Sequence, residues 1–251
     1  MKTGKVYLVG AGPGDPELLT LKAVRALGEA DVALVDDLVN PAVLVHLRAN
    51  ARVVRVGKRG GWRSTPQAFI ERKMLQLARE GLTVARVKGG DPYMFGRGGE
   101  EVETLSRAGI EVEVVNGITA GIGVPAALGI PVTHRAFCRG VTFVTGNARA
   151  GAELDWHALA NSGTTLVIYM GLANLAGIVS GLRDAGMAAA MPVAVVQDGT
   201  LSTQRSVVSQ LDQVVAVVAQ ARLASPALVV VGEVVRFAKH NELVEFSRKQ
   251  A

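Results

Sequence analysis

The sequence predicts an α/β fold made of two α/β domains. Three observations carry this. Short β-branched runs recur along the chain without strict alternation, as strands buried on both faces do. Helix-like segments separate them, the order that builds parallel sheets. Glycine clusters follow several of the runs directly, where an open sheet places its ligand loops.

The elements follow in order. Val6–Val9 is a short apolar strand. Asp15 can cap the next helix, with Pro16 in the first turn, where a missing N–H costs nothing. Leu18, Leu19, Leu21, Ala23, Val24 and Leu27 line that helix, which ends near Gly28. Val32–Val35, Arg52–Val56 and Leu82–Val87 are the second, third and fourth strands. A polar amphipathic helix, about Pro66 to Arg79, links the last two, and another, about Gly99 to Ala108, precedes a fifth strand at Val112–Val115.

Asn116 to Thr133 is uncharged but holds four glycines and two prolines, so it reads as a buried loop–helix–turn and not as a membrane span. The second half offers strands at Val141–Thr145, Thr165–Tyr169, Pro192–Gln197, Gln204–Val208 and Ala227–Val231. Helices fit about Leu172–Ala185 and Gln210–Ala221. Asp198-Gly199-Thr200 is a turn signal that makes the third and fourth of these strands a hairpin. The domains divide near residue 116, into 1–116 and 117–251, and the cleft between them is the default site.

Composition narrows the function. With 251 residues, 49% of them hydrophobic, the chain can bury a sizeable core. A net charge of +5 favours anionic partners without singling out nucleic acid. Basic residues are scattered and aromatics are only 4%, so no base-stacking platform is apparent and nucleic acid is a disfavoured partner. Cys138 is the single cysteine, so no internal disulfide forms and nothing asks for an oxidising compartment. The opening MKTGKVYLVGAG lacks a signal-peptide pattern, and the expected location is cytoplasmic. His46, His134, His157 and His240 form no close ligand pair, so no metal site is expected. No G-x-S-x-G elbow points to a hydrolase.

The loop Gly10-Ala11-Gly12-Pro13-Gly14-Asp15 is not a dinucleotide fingerprint. Asp15 stands at the third glycine position, and its carboxylate would repel phosphate at a helix N-terminus. Pro13 also removes a backbone donor where a pyrophosphate would need one. Related loops recur at Val87-Lys88-Gly89-Gly90-Asp91-Pro92, Asn116-Gly117-Ile118-Thr119-Ala120-Gly121 and Tyr169-Met170-Gly171, each after a strand. They are rich in backbone amides and carry a carboxylate and thioethers but few lysines. That inventory suits a nucleoside bearing a cation, such as a sulfonium.

In this order, GAGPGD, VKGGDPYMFGRGGEE, NGITAG, TFVTGNA, YMG, DGTLSTQR and PALVVVGEVV resemble the tetrapyrrole (precorrin) methylase family over almost the whole chain. The flanks VGKRGG, STPQ and GGDPYMFGRGGEE look like the branch that methylates uroporphyrinogen III. The resemblance implies S-adenosylmethionine as methyl donor, leaving as S-adenosylhomocysteine, and no metal. It implies methylation of two pyrrole carbons (C2 and C7) to give precorrin-2, for sirohaem- or cobalamin-type synthesis, in a homodimer. Matching motifs carry the donor contacts to Pro13, Gly89, Gly90, Asp91, Met94, Thr119, Ala120, Met170 and Gly199, and to Ala227 in PALV. They make Asp36 the proton acceptor and match Lys58 to a proton donor, though a carboxylate anchor is an equally open role for Lys58. Arg59, Arg63 and Arg97, with Arg135 and Arg139, offer guanidinium forks for the substrate's acetates and propionates.

The chain departs from the family pattern at Asp37, where arginine is common, at Asn116, where proline is frequent, and at Asn147, where histidine is frequent. Alternative readings are a methylase of this fold acting on a later precorrin or on RNA, and a non-catalytic tetrapyrrole-binding protein.

Overall fold

A computed structural model describes residues 3–57, 65–147 and 154–238. The chain divides into two compact units, Met1–Thr119 and Ala120–Ala251.

The first unit is a five-stranded, wholly parallel sheet. Its strands are β1 (Lys5–Gly10), β2 (Val32–Val35), β3 (Arg52–Arg55), β4 (Val84–Lys88) and β5 (Glu111–Val115), in the spatial order β3-β2-β4-β1-β5. The register pairs Val6 with Val84 and with Val112, so β4, β1 and the edge strand β5 run level with one another. Helix α1 (Leu21–Glu29) covers one face with Ala23, Ala26 and Leu27. Helices α2 (Gln67–Arg79) and α3 (Gly98–Arg107) cover the other with Ile70, Met74, Leu77 and Leu105. With helices on both faces, strand residues on either side are buried, which is why these strands do not alternate.

Two local readings change. Asp15 caps a short 3-10 turn, Pro16–Leu18, by accepting from the Glu17 N–H at 2.9 Å. Thr20 caps α1 instead, accepting from the Ala23 N–H at 3.1 Å. The helix therefore starts at Leu21, six residues beyond Asp15, and Leu21 points outward, 90% exposed. A second 3-10 turn, Pro41–His46, follows Asn40, whose side chain caps it.

The second unit is a mixed sheet of β6 (Val141–Thr145), β7 (Thr165–Tyr169), β8 (Pro192–Gln197), β9 (Arg205–Gln210) and β10 (Ala227–Val231), ordered β6-β7-β10-β8-β9. Only β6 and β7 run parallel, and β8 and β9 form the expected hairpin. β10 is antiparallel to both β7 and β8. Helix α4 (Ala120–Ala127) packs Val124 on one face; α5 (Trp156–Ala160), α6 (Leu175–Asp184) and α7 (Val214–Gln220) lie on the other. α7 begins later than its pattern suggests because β9 extends through Gln210. Among the described residues, no helix is long and apolar enough to cross a membrane.

Candidate active site

Parallel strands deliver all their following loops to one end of a sheet. In the first unit, that end gathers the residues after β1, β2, β4 and β5. The Ala11 N–H donates to Lys88 C=O at 2.8 Å, so the first loop leaves its strand still joined to β4. Gly12 and Gly90 then exchange two backbone hydrogen bonds, Gly12 N–H to Gly90 C=O at 3.2 Å and Gly90 N–H to Gly12 C=O at 2.7 Å. Both glycines sit at positive φ, 74° and 66°. The Asn40 amide donates to Gly14 C=O at 2.8 Å and ties the same loop to the segment after β2.

Gly117 completes the close approach. A Cβ on it would lie 2.2 Å from the Gly90 carbonyl oxygen, so nothing larger fits without moving backbone. The Asp91 carboxylate bonds the two loops: Oδ1 accepts from the Tyr93 N–H at 2.8 Å, and Oδ2 from Gly117 N–H and Asn116 Nδ2, both at 3.2 Å. Met94 is half-buried one residue after Tyr93, and its N–H donates to Asp91 C=O. Pro13, Gly89, Gly90, Asp91 and Met94 thus sit on loops joined by direct bonds, and Thr119 is buried at the end of the same unit.

In the second unit, Met170 follows β7, Gly199 follows β8, and Ala227 opens the antiparallel β10, paired with Gln197. All three therefore occupy one end of that sheet. Ala120 begins α4, where the Gly121 N–H donates to Tyr169 Oη at 2.6 Å. Gly199 is needed where it stands, because a Cβ there would meet Val124 of α4 at 2.4 Å. Met170 holds φ 54° and is 51% exposed, so it is not ordinary core methionine.

Asp36 lies at the end of β2, and its surroundings were not visible in the sequence. Arg86, only 1% exposed, places Nη2 2.7 Å from Asp36 Oδ1. Lys88 Nζ stands 3.7 Å from Asp36 Oδ2. Glu101, fully buried on α3, accepts through Oε1 from Arg86 Nε at 3.1 Å, Lys88 Nζ at 3.4 Å and Gln67 Nε2 at 3.0 Å. Two anions and two cations balance. Burial, then the neighbouring Arg86 charge, push the Lys88 ammonium below the ordinary lysine range. Asp36 thus has two cationic partners. The available signal was two cations, Arg86 and Lys88, inside an otherwise apolar strand, since a buried charge demands a partner.

Arg97 is exposed at the start of α3, and its Nε donates to the Glu100 carboxylate at 3.0 Å. Arg135 and Arg139 are exposed in the second unit. Lys58, Arg59 and Arg63 lie outside the described residues. Asp37 packs over the backbone of Gly57, where a Cβ would lie 2.1 Å from its Cγ. Among the described residues, no group of three His, Cys, Asp or Glu side chains is placed to hold a metal ion.

The model of one protein family, Tetrapyrrole (Corrin/Porphyrin) Methylases, matches residues 5–215. The chain belongs to the tetrapyrrole methylase family. A relative from Pseudomonas aeruginosa called uroporphyrinogen-III C-methyltransferase is 58% identical over 234 residues, 93% of this chain and 95% of the relative. A siroheme synthase of Azotobacter vinelandii is 48% identical, covering 99% of this chain but 53% of that protein. The crystal structure of a Thermus thermophilus uroporphyrin-III C-methyl transferase complexed with S-adenosylhomocysteine is 41% identical and superposes with a TM-score of 0.80, covering 93% of this chain and 94% of that one. Two-sheet tetrapyrrole methylases thus share this chain's architecture along nearly its full length.

Proposed function

We propose that the protein is an S-adenosylmethionine-dependent methyltransferase that methylates two pyrrole carbons of uroporphyrinogen III, giving precorrin-2. The observation that carries this is the full-length likeness to the Pseudomonas aeruginosa methyltransferase, with the glycine-tight loops intact. The donor supplies an electrophilic methyl group on a sulfonium, so the protein need provide no nucleophile of its own.

The donor set fits such a cofactor. Three backbone segments pack so closely at Gly10, Gly90 and Gly117 that no side chain fits between them, so the loops meet a nucleoside edge with backbone. In the first unit, Pro13, Gly89, Gly90, Asp91, Met94 and Thr119 would hold it; in the second, Ala120, Met170, Gly199 and Ala227. Asp91 already accepts three hydrogen bonds, so its first duty is to fix the loop, and its remaining lone pairs serve the ligand.

Adding methyl to a ring carbon obliges the macrocycle to lose a proton. Asp36, 28% exposed and held at both oxygens by cations, is the acceptor we assign. Lys58 and the arginines Arg59, Arg63 and Arg97 are assigned to the proton donor and to the carboxylate rim. Arg97 must exchange Glu100 for substrate to serve there. We further assign a homodimer and a cytoplasmic location. Anaerobic incubation with S-adenosylmethionine and uroporphyrinogen III, read by mass spectrometry, tests the proposal. Two added methyl groups are expected, and donor binding without any methylated product would reject it.

A further inference from the structure

We infer that Glu101 is a positioning residue that sets the orientation and electrostatic surroundings of Asp36 through Arg86 and Lys88. This rests on the reading of Asp36 as proton acceptor.

The geometry runs in one direction. Glu101 is fully buried on α3, too deep to meet a substrate itself. Its Oε1 takes hydrogen bonds from Gln67, Arg86 and Lys88. Arg86 and Lys88 reach from the same strand past Glu101 to the two oxygens of Asp36. Asp36 is the only member of the four with substantial exposure, 28% against 5% or less. So the cluster has a buried anchor, two cationic arms and one exposed end.

A second observation separates this from simple ion pairing. Glu101 Oε2 is buried with no hydrogen-bond partner among the described residues. A buried carboxylate oxygen left unmet is costly, so packing alone does not account for Glu101 at this position. Its charge has an evident use here. Without it, two buried cations would face Asp36 alone, and burial already disfavours the Lys88 ammonium. Among the described residues, the charged groups facing the cluster are those four, with Arg97 at the start of α3 acting on Glu101 over distance.

The test compares wild type with Glu101→Gln, Asp36→Asn and the double variant, using the whole chain. Glu101→Gln keeps the shape and removes the charge. Expected are a ten- to hundred-fold loss of kcat, as for a displaced reacting group, unchanged affinity for S-adenosylhomocysteine, and an acid limb of kcat against pH moved to lower pH. In the Asp36→Asn background, Glu101→Gln should add little further loss. Wild-type turnover, an unmoved pH limb or full additivity would overturn the inference. Should Glu101→Gln not bind S-adenosylhomocysteine, Lys88→Met cuts one arm: the same loss of kcat and the same non-additivity with Asp36→Asn are required of it, with the acid limb moved instead to higher pH because a cation has left Asp36. Normal turnover in Asp36→Asn would instead reject Asp36 itself; an inactive Asp36→Asn beside a fully active Glu101→Gln rejects only the role of Glu101.

Discussion

Gly117 lies so close to Gly90 that a methyl group on the first would sit 2.2 Å from the carbonyl oxygen of the second. The contact joins the loops after β5 and β4, and the hydrogen bonds between Gly90 and Gly12 extend it to the loop after β1. Gly117→Ala should therefore force backbone apart and cost about 1–3 kcal/mol, the usual range for overpacking. Urea unfolding would read the loss, and calorimetry with S-adenosylhomocysteine should show weakened binding. A variant with wild-type stability and affinity would mean the loops yield freely.

Asp91 bonds the same loops through its side chain. Asp91→Ala removes the acceptor for the Gly117 N–H, the Asn116 amide and the Tyr93 N–H together. Donor affinity should fall at least about tenfold, equivalent to roughly 1.4 kcal/mol. Asp91→Asn keeps one carbonyl acceptor and should lose less. Equal affinity in all three proteins would remove Asp91 from the binding loop.

Arg86 is the more dangerous position for stability. Arg86→Leu leaves Glu101 and Asp36 facing Lys88 alone, and breaking a buried pair on one side costs about 3–5 kcal/mol. Adding Glu101→Leu removes the stranded anion and should recover part of that loss. Equilibrium unfolding of the two singles and the double measures the coupling, and simple additivity would show that the charges do not act together.

Glu113 gives a pH prediction. Its hydrogen bonds to Lys22 and Lys5 lower its carboxyl to about 2. A lowered pKa means the unfolded chain binds the proton more readily than the folded one. The pair's contribution is therefore complete above the ordinary carboxylate value of 4.5 and disappears as pH falls through about 2. Glu113→Gln should narrow the difference in stability between pH 6 and pH 3. Because these side chains are partly exposed, added salt should shrink the effect. An identical pH response in the variant would dismiss it.

The parallel half of the fold was legible because its strands are buried on both faces and so leave unbroken apolar runs. The hairpin announced itself through Asp198-Gly199-Thr200, and two of these residues, Asp198 and Thr200, do hold positive φ. What was misread was local competition. Asp15 and Thr20 are both good caps five residues apart, and the sequence does not say that the first serves a 3-10 turn. The short helix α5 was missed because five residues carry too little periodicity to register. In the site, the glycines and Asp91 were readable from their place after strands. Glu101 and Arg86 were not, because their meeting depends on α3 laying its buried face over the end of β4.

The short strand β3 has a different consequence, one for life in a crowded cell. It closes one side of the parallel sheet and reads Arg52-Val53-Val54-Arg55, with both arginines exposed. An open strand of that composition, stripped of its charges, is a template onto which another chain can add. Two guanidinium groups in four residues make that addition costly, since a visiting strand would have to desolvate both. The two arginines thus guard the rim at β3 against an added strand.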